Sequence, residues 1–131
     1  MSLRGLILFA HGARDPAWAR PFEAVAAAVT AQQPALELRL AFLEFMSPDL
    51  MRAAEQLVGA GCTQVQVLPL FLGTGGHVRR DLPEMVERLA STHPQVQWSM
   101  LPAVGEHASV VQAMAGVALH ALQLPGAQGT P

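Results

Sequence analysis

The sequence predicts an α/β fold in which a four-stranded parallel sheet, in the strand order 2-1-3-4, carries helices on both faces. Short apolar runs alternate four times with longer segments of helical periodicity. Strands that alternate with helices in this way form parallel sheets through right-handed crossovers. The 131 residues correspond to about one domain. We therefore expect a single domain over residues 1–124 and a flexible tail over residues 125–131.

The four predicted strands are short apolar runs, each ending at a loop or turn. They cover Leu3–Ala10, Leu36–Leu43, Gln64–Leu72 and Val96–Leu101. Pro69 lies inside the third run and lacks a backbone donor, which weakens a strand. The high apolar density on both sides of it still favours a strand there.

The four predicted helices follow the strands and begin at recognisable start signals. They run from near Trp18–Arg20 to Gln33, from Ser47-Pro48 to about Ala60, from after the 73–77 loop to about Thr92, and from about His107 to Leu122. In the second helix, Ser47 is the expected cap and Pro48 the first helical residue. In the third, Asp81 and Pro83 are the start signals.

Composition excludes several classes of protein. Hydrophobic residues make up 51% of the chain and charged residues 14%, which is too apolar for a disordered chain. No apolar run approaches the ~20 residues of a membrane span, and we expect no signal peptide and a cytoplasmic protein. One cysteine excludes an internal disulfide framework. The net charge of −2 disfavours a general nucleic-acid binder.

Three side chains with metal-binding or proton-accepting groups follow the first three strands. His11 ends strand one, Glu44 ends strand two, and the glycine-rich loop after strand three delivers His77. Open α/β sheets bind ligands beyond the carboxyl ends of their strands, where the strand order switches. Neutral imidazole binds borderline divalent metals and accepts protons near neutral pH. Two histidines and one carboxylate would leave coordination positions open for a reactive metal.

Glycines and arginines surround these candidates. Gly75 and Gly76 carry no side chain, so backbone there can approach a large flat ligand closely. Arg14, Arg79 and Arg80 lie two or three residues from the histidines and suit a substrate with several carboxylates. No Gly-Lys-Ser/Thr follows the glycines, so this is not a phosphate-binding loop. We consider His107, at the start of the last helix, a further candidate for the crevice.

Several motifs resemble the small CbiX-type sirohydrochlorin chelatases. The matching segments are His11–Pro16, Ala41–Glu44 followed by Ser47-Pro48, Leu68–Leu72, Gly76–Pro83 and Gly105–His107. The resemblance covers about residues 6 to 122, and the segment around His77 is its most specific part. Ala13 stands where the family usually has Ser, which removes a hydroxyl but no metal ligand.

This resemblance implies an enzyme of the lyase class that inserts a divalent metal into sirohydrochlorin, for cobalamin or sirohaem synthesis. His11 and His77 match the family's metal and catalytic histidines, and the metal is a substrate, so no permanent cofactor is implied. The length resembles the short, single-repeat form, which is half of a two-domain class II chelatase. The resemblance therefore implies a homodimer. Cobalt is favoured because the short form resembles the cobaltochelatase branch, while iron and nickel remain open.

Other functions remain open at this point. A sirohydrochlorin ferrochelatase would use the same residues with iron. A carrier on the same fold would bind metal or tetrapyrrole without accelerating insertion. A flavodoxin-like module would bind a nucleotide or flavin, and the missing phosphate-binding loop speaks against that alternative.

Overall fold

A computed structural model describes residues 3–123, apart from the side chain of His77. Residues 1–2 and 124–131, with the predicted tail, lie outside the described residues. The four strands form one sheet in the order β2-β1-β3-β4, and all three neighbouring pairs are parallel. The predicted fold class and strand order are confirmed. The strands are β1 (Leu3–Ala10), β2 (Glu37–Phe42), β3 (Cys62–Pro69) and β4 (Gln97–Met100).

Four helices and two short 3-10 turns connect and follow the strands. The helices are α1 (Arg20–Gln32), α2 (Leu50–Gly59), α3 (Gly76–Thr92) and α4 (Ala108–Gln123). The first 3-10 turn (Pro16–Ala19) precedes α1, and the second 3-10 turn (Val104–Glu106) precedes α4. None of the helices in the described range is long and apolar enough to cross a membrane.

One face of the sheet carries the main hydrophobic core. Ile7 and Phe9 of β1 lie beside Val65, Val67 and Pro69 of β3, and all five are fully buried or nearly so. Buried side chains of α2 and α3 pack against this row. Burying each large side chain contributes roughly 1.5–3 kcal/mol, so this face dominates the stability of the fold.

The opposite face is covered on one half only. Successive strand residues point to opposite faces, so Ala10 and Phe42 face away from the main core, toward Trp18 and Phe22. These two aromatic side chains belong to the first 3-10 turn and α1. The contacts of α4 are concentrated on the second 3-10 turn instead of the sheet. On the β3–β4 half of this face, the described side chains include exposed glutamines.

The start of α2 differs from the prediction. The helix begins at Leu50, and the Asp49 carboxylate caps it by accepting a 2.8 Å hydrogen bond from the Arg52 amide. Ser47 therefore does not cap this helix, and Pro48 is not its first residue. The reason is that the Pro48 carbonyl accepts a 2.9 Å bond from the Phe42 amide, which keeps Pro48 alongside the end of β2.

Two further boundaries were predicted wrongly. β3 ends at Pro69 and not at Leu72, because the chain turns toward the second 3-10 turn, where the Phe71 carbonyl accepts a 3.0 Å bond from the Gly105 amide. α3 begins at Gly76, inside the predicted loop, so Pro83 lies within the helix and does not start it.

We predict that Asp49→Ala lowers the free energy of unfolding by about 1 kcal/mol, because it removes the cap of α2. Asn is an equally good cap, so Asp49→Asn is the matched control and should leave stability nearly unchanged. Urea unfolding followed by circular dichroism measures both. Equal losses in the two variants would show that the charge matters and the cap does not.

Candidate functional site

The loops that follow β1 and β2 run side by side beyond the sheet. The Leu43 amide donates a 2.9 Å hydrogen bond to the Ala10 carbonyl, and the Glu44 amide donates a 3.1 Å bond to the His11 carbonyl. The backbone pairing of the two strands thus continues past their ends. It places His11 and Glu44 next to each other, with 3.4 Å between His11 Nε2 and Glu44 Oε1.

Gly12 makes this close approach of the two loops possible. Its φ is +94°, in the left-handed region that favours glycine. A Cβ at this position would also overlap the carbonyl oxygen of Glu44. Gly12 is therefore required both by its backbone conformation and by the space that the neighbouring loop occupies.

His11 lies between an apolar and a polar neighbour. The buried ring of Phe71 packs edge-on against the imidazole, with 5.9 Å between the ring centroids. The Glu44 carboxylate lies by Nε2, and the two side chains remain 52% and 50% exposed. An imidazole held by packing and paired with a carboxylate can bind a divalent metal or take up a proton, and its exposure leaves room for a large ligand.

His77 is the second residue of α3, so it lies in the first turn of a helix and not in the predicted loop. Its side chain lies outside the described part of the structure, and its pairing with His11 stays a prediction. Gly75 precedes the helix as its N-cap, and Gly76 is its first residue. A Cβ on either glycine would meet no atom within 4 Å, so the fold itself does not require glycine at these two positions.

The three candidate arginines are exposed. Arg14 lies in the loop after β1, with its guanidinium carbon 4.5 Å from the centroid of the Phe45 ring. Arg79 and Arg80 lie near the start of α3. Across residues 3–123, no ion pair involves any of these three side chains. Their charges are therefore available to a ligand.

His107 is exposed and immediately precedes α4. Its carbonyl accepts hydrogen bonds from the Val110 and Val111 amides. The bond between Gly105 and Phe71 ties the preceding turn to the residue that packs on His11. Within the described side chains, no group of three or more His, Cys, Asp or Glu residues is placed to hold a metal ion.

Two residues of the site were not found from the sequence. The sequence places Phe71 in the third predicted strand and in the Leu68–Leu72 motif, with no role in the site, yet its ring packs against His11. Phe45 follows Glu44 and contacts Arg14. Their one sequence signal is position, because each lies within three residues of the end of a strand that borders the site.

The fold and the site define a class of protein. It is a parallel α/β domain with an exposed imidazole–carboxylate pair at the carboxyl edge of the sheet, beside the switch in strand order. Comparison with known proteins identifies the family: the CbiX family model matches residues 5–119, and the chain belongs to that family.

Three similar proteins are informative. A CbiX protein from Marinobacter aquaeolei VT8 has a crystal structure that superimposes with a TM-score of 0.82 at 31% identity, covering 92% of this chain and 98% of that one. A sirohydrochlorin ferrochelatase of Bacillus subtilis is 36% identical over 75 residues, 57% of this chain and 29% of the relative. A sirohydrochlorin cobaltochelatase of Methanococcoides burtonii is 29% identical over 83 residues, 63% of each chain. The matches thus span less than two thirds of the two named chelatases.

We predict that Gly12→Ala lowers the free energy of unfolding by about 2–4 kcal/mol, because it adds an overlap with Glu44 to a strained backbone conformation. Gly61→Ala is the matched control. Gly61 has a similar φ of +99° but no atom within 4 Å of the added Cβ, so its loss should be about 1 kcal/mol. Chemical denaturation measures both variants, and equal losses would contradict the proposed contact between the loops.

Proposed function

We propose that this chain is a cytoplasmic chelatase that inserts a divalent metal, with cobalt favoured, into sirohydrochlorin during cobalamin biosynthesis. The exposed pair of His11 and Glu44 at the carboxyl edge of the sheet carries the proposal. Metal insertion requires a ligand for an incoming cation and a nearby proton acceptor at an open surface, and this pair supplies both. The names of the two chelatase relatives support the substrate.

In the proposed reaction, a hydrated divalent cation loses water, binds the macrocycle and displaces two pyrrole N–H protons. Neutral His11 offers Nε2 to the cation as it sheds water, and His77 acts as the second imidazole. Glu44, 3.4 Å from His11, accepts a proton or stabilises a protonated His11. The two protons leave to solvent through the half-exposed His11 and Glu44, and the metal departs in the product.

The surrounding residues suit a flat ligand with several carboxylates. Arg14, Arg79 and Arg80 are exposed, and guanidinium groups pair with carboxylates through two parallel hydrogen bonds. Gly75 and Gly76 carry no side chains, so the first amides of α3 can approach a carboxylate closely. These five residues form the proposed binding surface for the tetrapyrrole.

Two alternatives use the same site. A sirohydrochlorin ferrochelatase for sirohaem synthesis is supported by the name of the Bacillus subtilis relative. A carrier that binds sirohydrochlorin and metal without accelerating insertion is the second. Anaerobic absorbance of the free and metallated macrocycle, with cobalt, iron or nickel and with or without protein, separates all three.

We predict that His11→Ala lowers the rate of metal insertion about a hundredfold or more, because it removes both a proton acceptor and a metal ligand. Glu44→Gln should lower the rate about tenfold, because it removes a proton acceptor only. Glu55→Gln is the control, since Glu55 lies exposed in the middle of α2 and belongs to neither loop of the site. Wild-type rates in both site variants, with the fold intact by circular dichroism, would refute the assignment.

We also propose that the chain is a homodimer. α4 carries no Asp, Glu, Lys or Arg, yet its large apolar side chains are exposed, with Val117 at 72% and Leu122 at 84%. An uncharged apolar helix of this kind marks a surface that associates with another protein.

The commonest arrangement of two identical chains is a two-fold dimer. A two-fold dimer would bury the same patch on both copies.

We predict a mass near twice 13.9 kDa by light scattering at micromolar concentration. The double variant Val117→Glu with Leu122→Glu should be monomeric, because charges within an apolar interface are costly to desolvate. Gln56→Glu, an exposed charge added on α2, is the control and should remain dimeric. A wild-type monomer with full insertion activity would overturn the dimer.

A further inference from the structure

Phe45, the residue after Glu44, has a strained backbone. Its φ is +67°, and the Met46 amide donates a 2.8 Å hydrogen bond to the Glu44 carbonyl. The two features together describe a γ-turn with Phe45 at its centre, a conformation that is rare and strained. A bulky residue with positive φ is an outlier that requires an explanation.

Few contacts of the Phe45 side chain offset this backbone strain. Its side chain is 56% exposed and belongs to neither of the buried clusters of the described residues. Its recorded ring contact is the guanidinium of Arg14, at 4.5 Å. An exposed cation over a ring contributes only modestly to stability. Strain without a stabilising contact is found where the conformation serves binding or catalysis.

The position of Phe45 indicates what it would bind. Arg14 and Phe45 lie in the two loops that also carry His11 and Glu44, three residues after His11 and one residue after Glu44. The turn thus places Phe45 directly after Glu44, which is paired with His11. Arg14 lies over the ring, and Phe45 nevertheless stays 56% exposed. Arg14 is exposed, and the donors of a guanidinium suit a carboxylate.

We infer that Phe45 and Arg14 act as one binding element, in which the ring contacts the conjugated plane of the substrate and the guanidinium pairs with a carboxylate at its rim. A flat, conjugated polycarboxylate matches both groups at once. The inference rests on the proposed function, because it assigns a new contact to the proposed tetrapyrrole substrate. It makes Phe45 a substrate-binding residue that sequence patterns do not identify.

The test is a titration of metal-free sirohydrochlorin under anaerobic conditions, followed by its absorbance, with wild-type protein and variants at position 45. Phe45→Ala and Phe45→Gly should raise Kd about tenfold, because both remove the ring. Phe45→Trp keeps an aromatic plane and should bind within a factor of about three of wild type. Val25→Ala, which shortens an exposed apolar side chain on α1, is the control and should not change Kd.

Comparing the stabilities of two variants separates the effect of losing the ring from the effect of relieving the backbone strain. Phe45→Gly and Phe45→Ala both lack the ring, but only glycine relieves the positive φ. The melting temperature of Phe45→Gly should therefore exceed that of Phe45→Ala by about 4 °C. A glycine variant that is more stable than the alanine variant but binds sirohydrochlorin as weakly would support the inference.

The outcomes distinguish this inference from the proposed function. If wild-type protein binds sirohydrochlorin and both Phe45→Ala and Phe45→Gly bind it as tightly as wild type does, the inference is wrong and the proposed function stands. If wild-type protein does not bind sirohydrochlorin, both are wrong. Binding of Co²⁺ alone should be the same in wild type and Phe45→Gly, and a parallel loss of Co²⁺ binding would show that the substitution disturbs the His11 loop instead of removing a macrocycle contact.

Discussion

The backbone pairing between the loops after β1 and β2 is the constraint on which the site depends. Two hydrogen bonds join the loops beyond the strands, and Gly12 leaves the space that the Glu44 carbonyl occupies. The imidazole of His11 and the carboxylate of Glu44 are adjacent as a consequence. The same pairing brings Arg14 to Phe45. Four side chains of different chemistry are thus positioned by a single close approach of two chain segments.

The two faces of the sheet differ in how completely helices cover them. α2 and α3 bury the row that includes Ile7 and Val67, so that face provides a complete core. On the other face, α1 packs against the β2 side while α4 leaves its apolar side chains exposed. The covered face accounts for the stability of one chain. The exposed apolar side chains of α4 account for the proposed association of two chains.

The sequence predicted what depends on periodicity and on topology. Alternating apolar and amphipathic segments determine the strand order, and the strand order places the residues after β1 and β2 at one edge. The strand order places His11 and Glu44 at the same edge of the sheet, and the loop pairing at Gly12 makes them adjacent. The features that the sequence did not predict depend on individual local contacts. Asp49 caps α2 because the hydrogen bond from the Phe42 amide keeps Pro48 beside β2. The left-handed backbone of Phe45 cannot be predicted from its residue type. The role of His77 remains a prediction, since it depends on a side chain outside the described structure.

The half-exposed state of His11 and Glu44 has a kinetic consequence. Because no described segment covers the pair, a small cation can reach the imidazole without any loop having to open first. Many enzymes with closing loops are limited by those movements or by release of product. Here the arrival of the cation would be governed by diffusion and by the loss of its bound water. The slow steps would then belong to the larger, flat ligand, which must fit against the protein and later separate from it.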